Sequence, residues 1–166
     1  MTTAADREGL QKTDRISSLG MWNQAKGFYL ASDALVVSEH SYLVDPSYHL
    51  ISHSIELALK AFLRGYGYSL EQLNKLGHDL NKTLDRAVNS GLGSYFEFSE
   101  NDRPVLAEMN KYCLSREFEY IESDCKSYPR IDLLISFADR LIRGVSEFCF
   151  ERRGHHLRSR IARGQV

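Results

Sequence analysis

The stretch IELALKAFL, residues 55–63, limits the fold more than any other part of the chain. Wound as a helix, it and the residues before it place Leu50, Ile51, Ile55, Leu57, Leu59, Ala61 and Phe62 around most of the circumference. The exception is one arc of roughly 60°, into which His49, His53, Glu56 and Lys60 fall. A helix so widely apolar has to be surrounded, so the rest of the chain must supply elements to pack around it. No alternating apolar–polar run longer than a few residues offers strands for that purpose. The expectation is an all-α protein.

Several further helices are legible. From Leu19 to Val37, Trp22, Ala25, Phe28, Tyr29, Ala31, Leu35 and Val36 recur mostly at three- and four-residue spacing. Asp45 before Pro46 reads as the start of the second helix, with Asp accepting first-turn amides and Pro preset for the first helical position. Gly65 and Gly67 mark its end. Ser69 and Gln72 form a capping-box pattern for a short helix through Leu76, which Gly77 stops. A helix follows over about 78–89, and Ser99 with Asp102 opens another to about Leu114. Pro129 begins what reads as the longest helix, its apolar face continuing to about Arg153. REFEYIES, residues 116–123, reads as an irregular crossover pinned by its aromatics. The expected architecture is an antiparallel four-helix bundle with short additional helices, residues 17–153, between a flexible lead-in over 1–16 and a basic tail over 154–166.

At 166 residues the chain suits one domain with a real core, and a net charge of −1 predicts no polyanionic partner from overall balance. The last sixteen residues depart from that balance, with five arginines against the single acid Glu151. Cys113, Cys125 and Cys149 are odd in number and widely spaced, which argues against a disulfide framework and a zinc knuckle and for a reducing compartment. No signal-peptide core and no membrane-length apolar run is present, so a cytoplasmic protein without membrane association is expected.

The polar arc has two readings. As a wet face, its Glu56 and Lys60 make an i,i+4 pair worth about 0.2–0.5 kcal/mol. As the lining of a groove, His53, Glu56 and Lys60 become catalytic candidates, joined by His78 and Asp79 of LGHDL. His78 or Asp79 either caps the helix that follows or, in the sharper reading, places His78 beside Glu56. A His-x-x-x-His pair without HExxH is a weak metal signal, and no metal or cofactor is expected. No glycine-rich phosphate loop or GxSxG elbow is present either.

SIELALKAFL, then a short helix, then LGHDL, then REFEYIES and a Pro-started last helix, resemble bacterial proteins of the HEPN superfamily over roughly residues 45–145. The resemblance implies a small helical bundle, a homodimer, and a stress, defence or toxin–antitoxin setting with RNA, a nucleotide or a protein as partner. Ribonuclease members share an R-x(4–6)-H motif, and no arginine of this chain has a histidine at that spacing. The expectation is therefore a non-catalytic binding module. The alternative is a ribonuclease or other enzyme that uses the His/Glu/Lys pocket instead. Arg152, Arg153, Arg158, Arg160 and Arg163 are the nucleic-acid-binding candidates, able to track a phosphate backbone without reading bases.

Overall fold

The computed structural model describes residues 17–38, 43–115 and 128–153. Among them are seven α-helices, one 3₁₀ turn and no strand: α1 (Ser18–Val37), α2 (Val44–Tyr66), α3 (Leu70–Asn74), α4 (Leu80–Asn89), the 3₁₀ turn Leu92–Ser94, α5 (Asp102–Ser115), α6 (Ile131–Gly144) and α7 (Ser146–Glu151). The chain is all-α, as its apolar periodicity requires. None of these helices is long and apolar enough to cross a membrane. The lead-in over 1–16, the REFEYIES crossover, Cys125 and the tail over 154–166 lie outside the described residues.

Helix α2 is the pillar of the fold. Ile51, Ile55, Ala58, Leu59, Ala61, Phe62 and Leu63 are fully buried, and α1, α4, α6 and α7 pack around them. The α1–α2 contact is built from small residues. Ser18 donates to the Ala61 carbonyl at 2.7 Å, Ser54 to that of Ala25 at 2.7 Å and Ser32 to that of Ser47 at 2.9 Å. These three bonds step along both helices in one constant antiparallel register. With no large side chain between them the backbones approach closely, and each hydroxyl is satisfied in the seam. The face of α1 turned to α2 is thus Ser18, Ala25 and Ser32, not the larger residues whose spacing marks the helix in the sequence. Trp22 reaches sideways instead, its indole N–H donating to the Ile142 carbonyl of α6 at 2.8 Å.

Two element boundaries differ from the expected ones. Helix α2 is capped by Leu43 rather than Asp45; Asp45 sits inside the first turn, where its carboxylate accepts the Tyr128 hydroxyl. The helix expected from Pro129 to about Arg153 starts at Ile131, with Arg130 in the N-cap position, and is not continuous, because it stops at Gly144 and resumes as α7 after Val145. There α6 crosses the Tyr95–Phe96 backbone so closely that a Cβ on Gly144 would lie 2.3 Å from the Tyr95 carbonyl oxygen. The longest helix is therefore α2, which ends on Gly67 in the left-handed region, φ 118°, with the Gly67 N–H on the Arg64 carbonyl and the Tyr68 N–H on that of Leu63. The capping box of α3 is formed as its pattern predicts, with Ser69 and Gln72 each accepting from the other's amide.

Candidate functional site

The polar arc of α2 is wet at its start, where His49 is exposed, and covered at Glu56 and Lys60. The Glu56 side chain is 7% exposed and that of Lys60 11%, with Lys60 Nζ 2.6 Å from Glu56 Oε1. What covers them is the turn between α3 and α4. Gly77 holds the left-handed conformation, φ 61°, that turns the chain back, and its carbonyl accepts a second hydrogen bond from Lys60 Nζ at 2.7 Å. Lys60 thus ties the helix to the turn. A solvent-screened pair of a few tenths of a kcal/mol is replaced by a buried ion pair, whose desolvation has to be offset by good geometry and full hydrogen bonding.

The clamp delivers His78 to the other carboxylate oxygen, with Nδ1 3.0 Å from Glu56 Oε2. His53, one turn before Glu56, brings its Nδ1 to 3.8 Å from the same oxygen, an electrostatic neighbour rather than a hydrogen bond. Burial alone pushes the Glu56 carboxyl up, but His53, Lys60 and His78 outweigh it and draw it down to about 2. Glu56 is therefore a permanent anion at neutral pH. A carboxylate can only accept, so the shared proton resides on His78 Nδ1, and Nε2 is the ring nitrogen left to other partners. The His78 side chain is 63% exposed and that of His53 34%, so the cluster has a buried ionic base and an imidazole rim. His53 is further fixed by an edge contact with Phe28, ring centroids 4.7 Å apart.

Of the five residues singled out as catalytic candidates, His53, Glu56, Lys60 and His78 converge. Asp79 serves elsewhere: it is the N-cap of α4, accepting from Lys82 N at 2.9 Å and from Asn110 Nδ2 at 3.2 Å. Both readings of GHDL hold at once, Asp79 capping and His78 beside Glu56. Asp79 does line an open polar hollow of about 630 Å³ with Asn81, Lys82, Asp85, Arg86, Asn89 and Asn110. That hollow contains none of the four converging residues.

Two participants escaped the sequence reading. Asn110 is buried on α5 and accepts from Leu80 N at 2.7 Å, so it shares with Asp79 the work of satisfying the first turn of α4. Asp102, read with Ser99 as the opening of α5, does pair with it, accepting from Ser99 N at 2.7 Å and Ser99 Oγ at 2.8 Å, and also takes the Arg140 guanidinium of α6. The Gly77 carbonyl is the second. A backbone atom leaves no signature in side-chain identity, and the only signal was a glycine in a turn.

Among the described residues no group of three or more His, Cys, Asp or Glu side chains is arranged to hold a metal ion. Burial pushes the thiols of Cys113 and Cys149 up to about 11, the reverse of what a nucleophile needs. Arg152 and Arg153 are exposed at the end of α7 and lie over Phe148 and Phe150, 5.4 Å and 4.3 Å from the ring centroids. Arg158, Arg160 and Arg163 lie outside the described residues. Comparison with models of known families, with curated proteins and with solved structures returns no match.

Proposed function

We propose that this chain is a HEPN-like four-helix bundle module that binds rather than cuts, working as a homodimer in a bacterial stress, defence or toxin–antitoxin-type system. Its partner is RNA, a nucleotide or another protein; the exposed Arg152 and Arg153 favour RNA among these. The resemblance in SIELALKAFL and LGHDL supplies the family, and the missing R-x(4–6)-H spacing removes the nuclease chemistry. One observation carries the non-catalytic reading: Lys60 is consumed in bonds to Glu56 and to the Gly77 carbonyl. Glu56, drawn down to about 2, is too weak a base and too fully ionised an acid to exchange protons near neutral pH. The most family-like side chains are thus spent on joining the second helix to the GHDL turn.

A second reading rests on the exposed ring of His78. Oriented by Glu56, its Nε2 faces outward as the proton-transferring atom of a carboxylate–imidazole pair would. A denaturing-gel time course of labelled RNA with the wild type and His78→Ala separates the two. No cleavage by either, with salt-sensitive retention of intact RNA, is the expected result. Cleavage by the wild type that His78→Ala abolishes would replace the binding module with an enzyme.

A further inference from the structure

The last arginines of the chain have no aromatic neighbours in sequence, for from Arg152 onward there is no Phe, Tyr or Trp. The fold supplies them. Helix α7 packs against the C-terminal end of α2, where Gly65 makes room for it: a Cβ there would lie 2.7 Å from the Phe148 ring and 3.3 Å from Arg152 Cβ. Phe148 is thereby set against Phe62, ring centroids 4.8 Å apart, and both rings are buried. On this floor stand two rings that are open. Tyr66 lies 6.2 Å from Phe62, and Tyr95, just after the 3₁₀ turn, lies 5.8 Å from Phe62 and 4.9 Å from Phe148. Tyr66 is 55% exposed and Tyr95 43%, and the exposed Arg152 lies over Phe148 between the same elements.

Three segments remote in sequence thus bring two tyrosine rings and a guanidinium to one end of the bundle. A ring seated on a packed floor offers its face to a flat base, and base faces are open only where a strand is unpaired. A guanidinium beside the rings meets the phosphate that links successive bases. The acids of α7, Glu147 and Glu151, lie roughly 100° around that helix from the side that carries Phe148 and Arg152. After them the chain adds Arg153, Arg158, Arg160 and Arg163 and no Asp or Glu. An acidic peptide would use the arginines and leave the rings idle, and a duplex would hide the base faces.

We propose that Tyr66, Tyr95 and Arg152 form a stacking site for single-stranded RNA, with bases on the two tyrosines and a phosphate at Arg152. This rests on the RNA reading above and names the strand state and the residues that hold it. Every base has a π-face, so the site tolerates any sequence.

The test is a filter-retention titration of the full chain with a labelled oligouridylate and with an RNA duplex of equal length. The variants are Tyr66→Leu, Tyr95→Leu, Tyr66→Phe, Tyr95→Phe and Arg152→Gln, each checked for an unchanged urea midpoint. Leu keeps apolar contact with the floor and removes the ring face; Phe keeps the face and removes the hydroxyl. Each Leu variant should bind the oligouridylate about tenfold more weakly, and each Phe variant as the wild type does. Arg152→Gln should flatten the salt dependence by about 0.7 in the log–log slope. The duplex should bind more weakly than the oligouridylate and ignore the Leu changes. Retention of neither RNA overturns both this site and the RNA reading. Oligouridylate binding that the Leu variants leave unchanged, or preference for the duplex, overturns this site and leaves the RNA reading in place. Phe variants as weak as the Leu variants overturn stacking as the mode of contact.

Discussion

Replacing Lys60 by Met should be among the costliest single changes this fold can suffer. The substitution keeps the stem and removes the ammonium, leaving Glu56 ionised at 7% exposure and the Gly77 carbonyl without its Lys60 donor. Breaking a buried pair from one side costs about 3–5 kcal/mol, because the surviving charge stays buried without its counterion. Two imidazoles remain near Glu56, at 3.0 and 3.8 Å, so Lys60→Met belongs at the lower end of that range. Glu56→Leu belongs at the upper end, since it strands the ammonium with the Gly77 carbonyl. Removing both charges together, in Glu56→Leu/Lys60→Met, restores an apolar interior and should cost less than either single change. With a urea slope of about 2 kcal/mol/M, the single variants should lower the unfolding midpoint by about 1.5–2.5 M. Single shifts under about 0.5 M that simply add in the double variant would refute the reasoning, since that is how a solvent-screened helix pair behaves.

Two further outcomes are expected. The folded-state pKa of Glu56, about 2, lies below its ordinary 4.5, so its contribution is complete above pH 4.5 and is lost as pH falls from there toward 2. The wild type should lose on the order of 3 kcal/mol more than Glu56→Leu across that window, measured as urea midpoints at stepped pH. Gly144→Ala should lower the thermal midpoint and cost roughly 1–3 kcal/mol or more, because the new methyl has backbone, not a yielding side chain, 2.3 Å away; an unchanged midpoint would mean that α6 does not cross Tyr95 so closely.

Elements whose signals are local were legible. The Ser69–Gln72 capping box and the stop at Gly67 need no neighbours to form, and both appear where their residues put them. The break at Val145 was not legible, because it lies beside a crossing with Tyr95, far away in sequence, while the helix's own apolar pattern runs through it. Asp45 misled as well, since it lies inside the first turn rather than at the N-cap and accepts the hydroxyl of Tyr128, far away in sequence. In the candidate site, the periodicity of α2 grouped His53, Glu56 and Lys60 on one arc. It could not tell whether the arc was wet or covered, since the cover is a turn held by a backbone carbonyl. The serine seam was hidden by α1 itself: its large apolar residues dominate the pattern while the small ones make the closest contact.

That seam also fixes how α1 can move. Its three serine bonds cross between α1 and α2 in one register, inside the most extensive helix–helix contact among the described residues. Sliding α1 by one turn would strand three buried hydroxyl donors at once, so the two helices hold or open as a unit, and their amides should share one level of hydrogen-exchange protection.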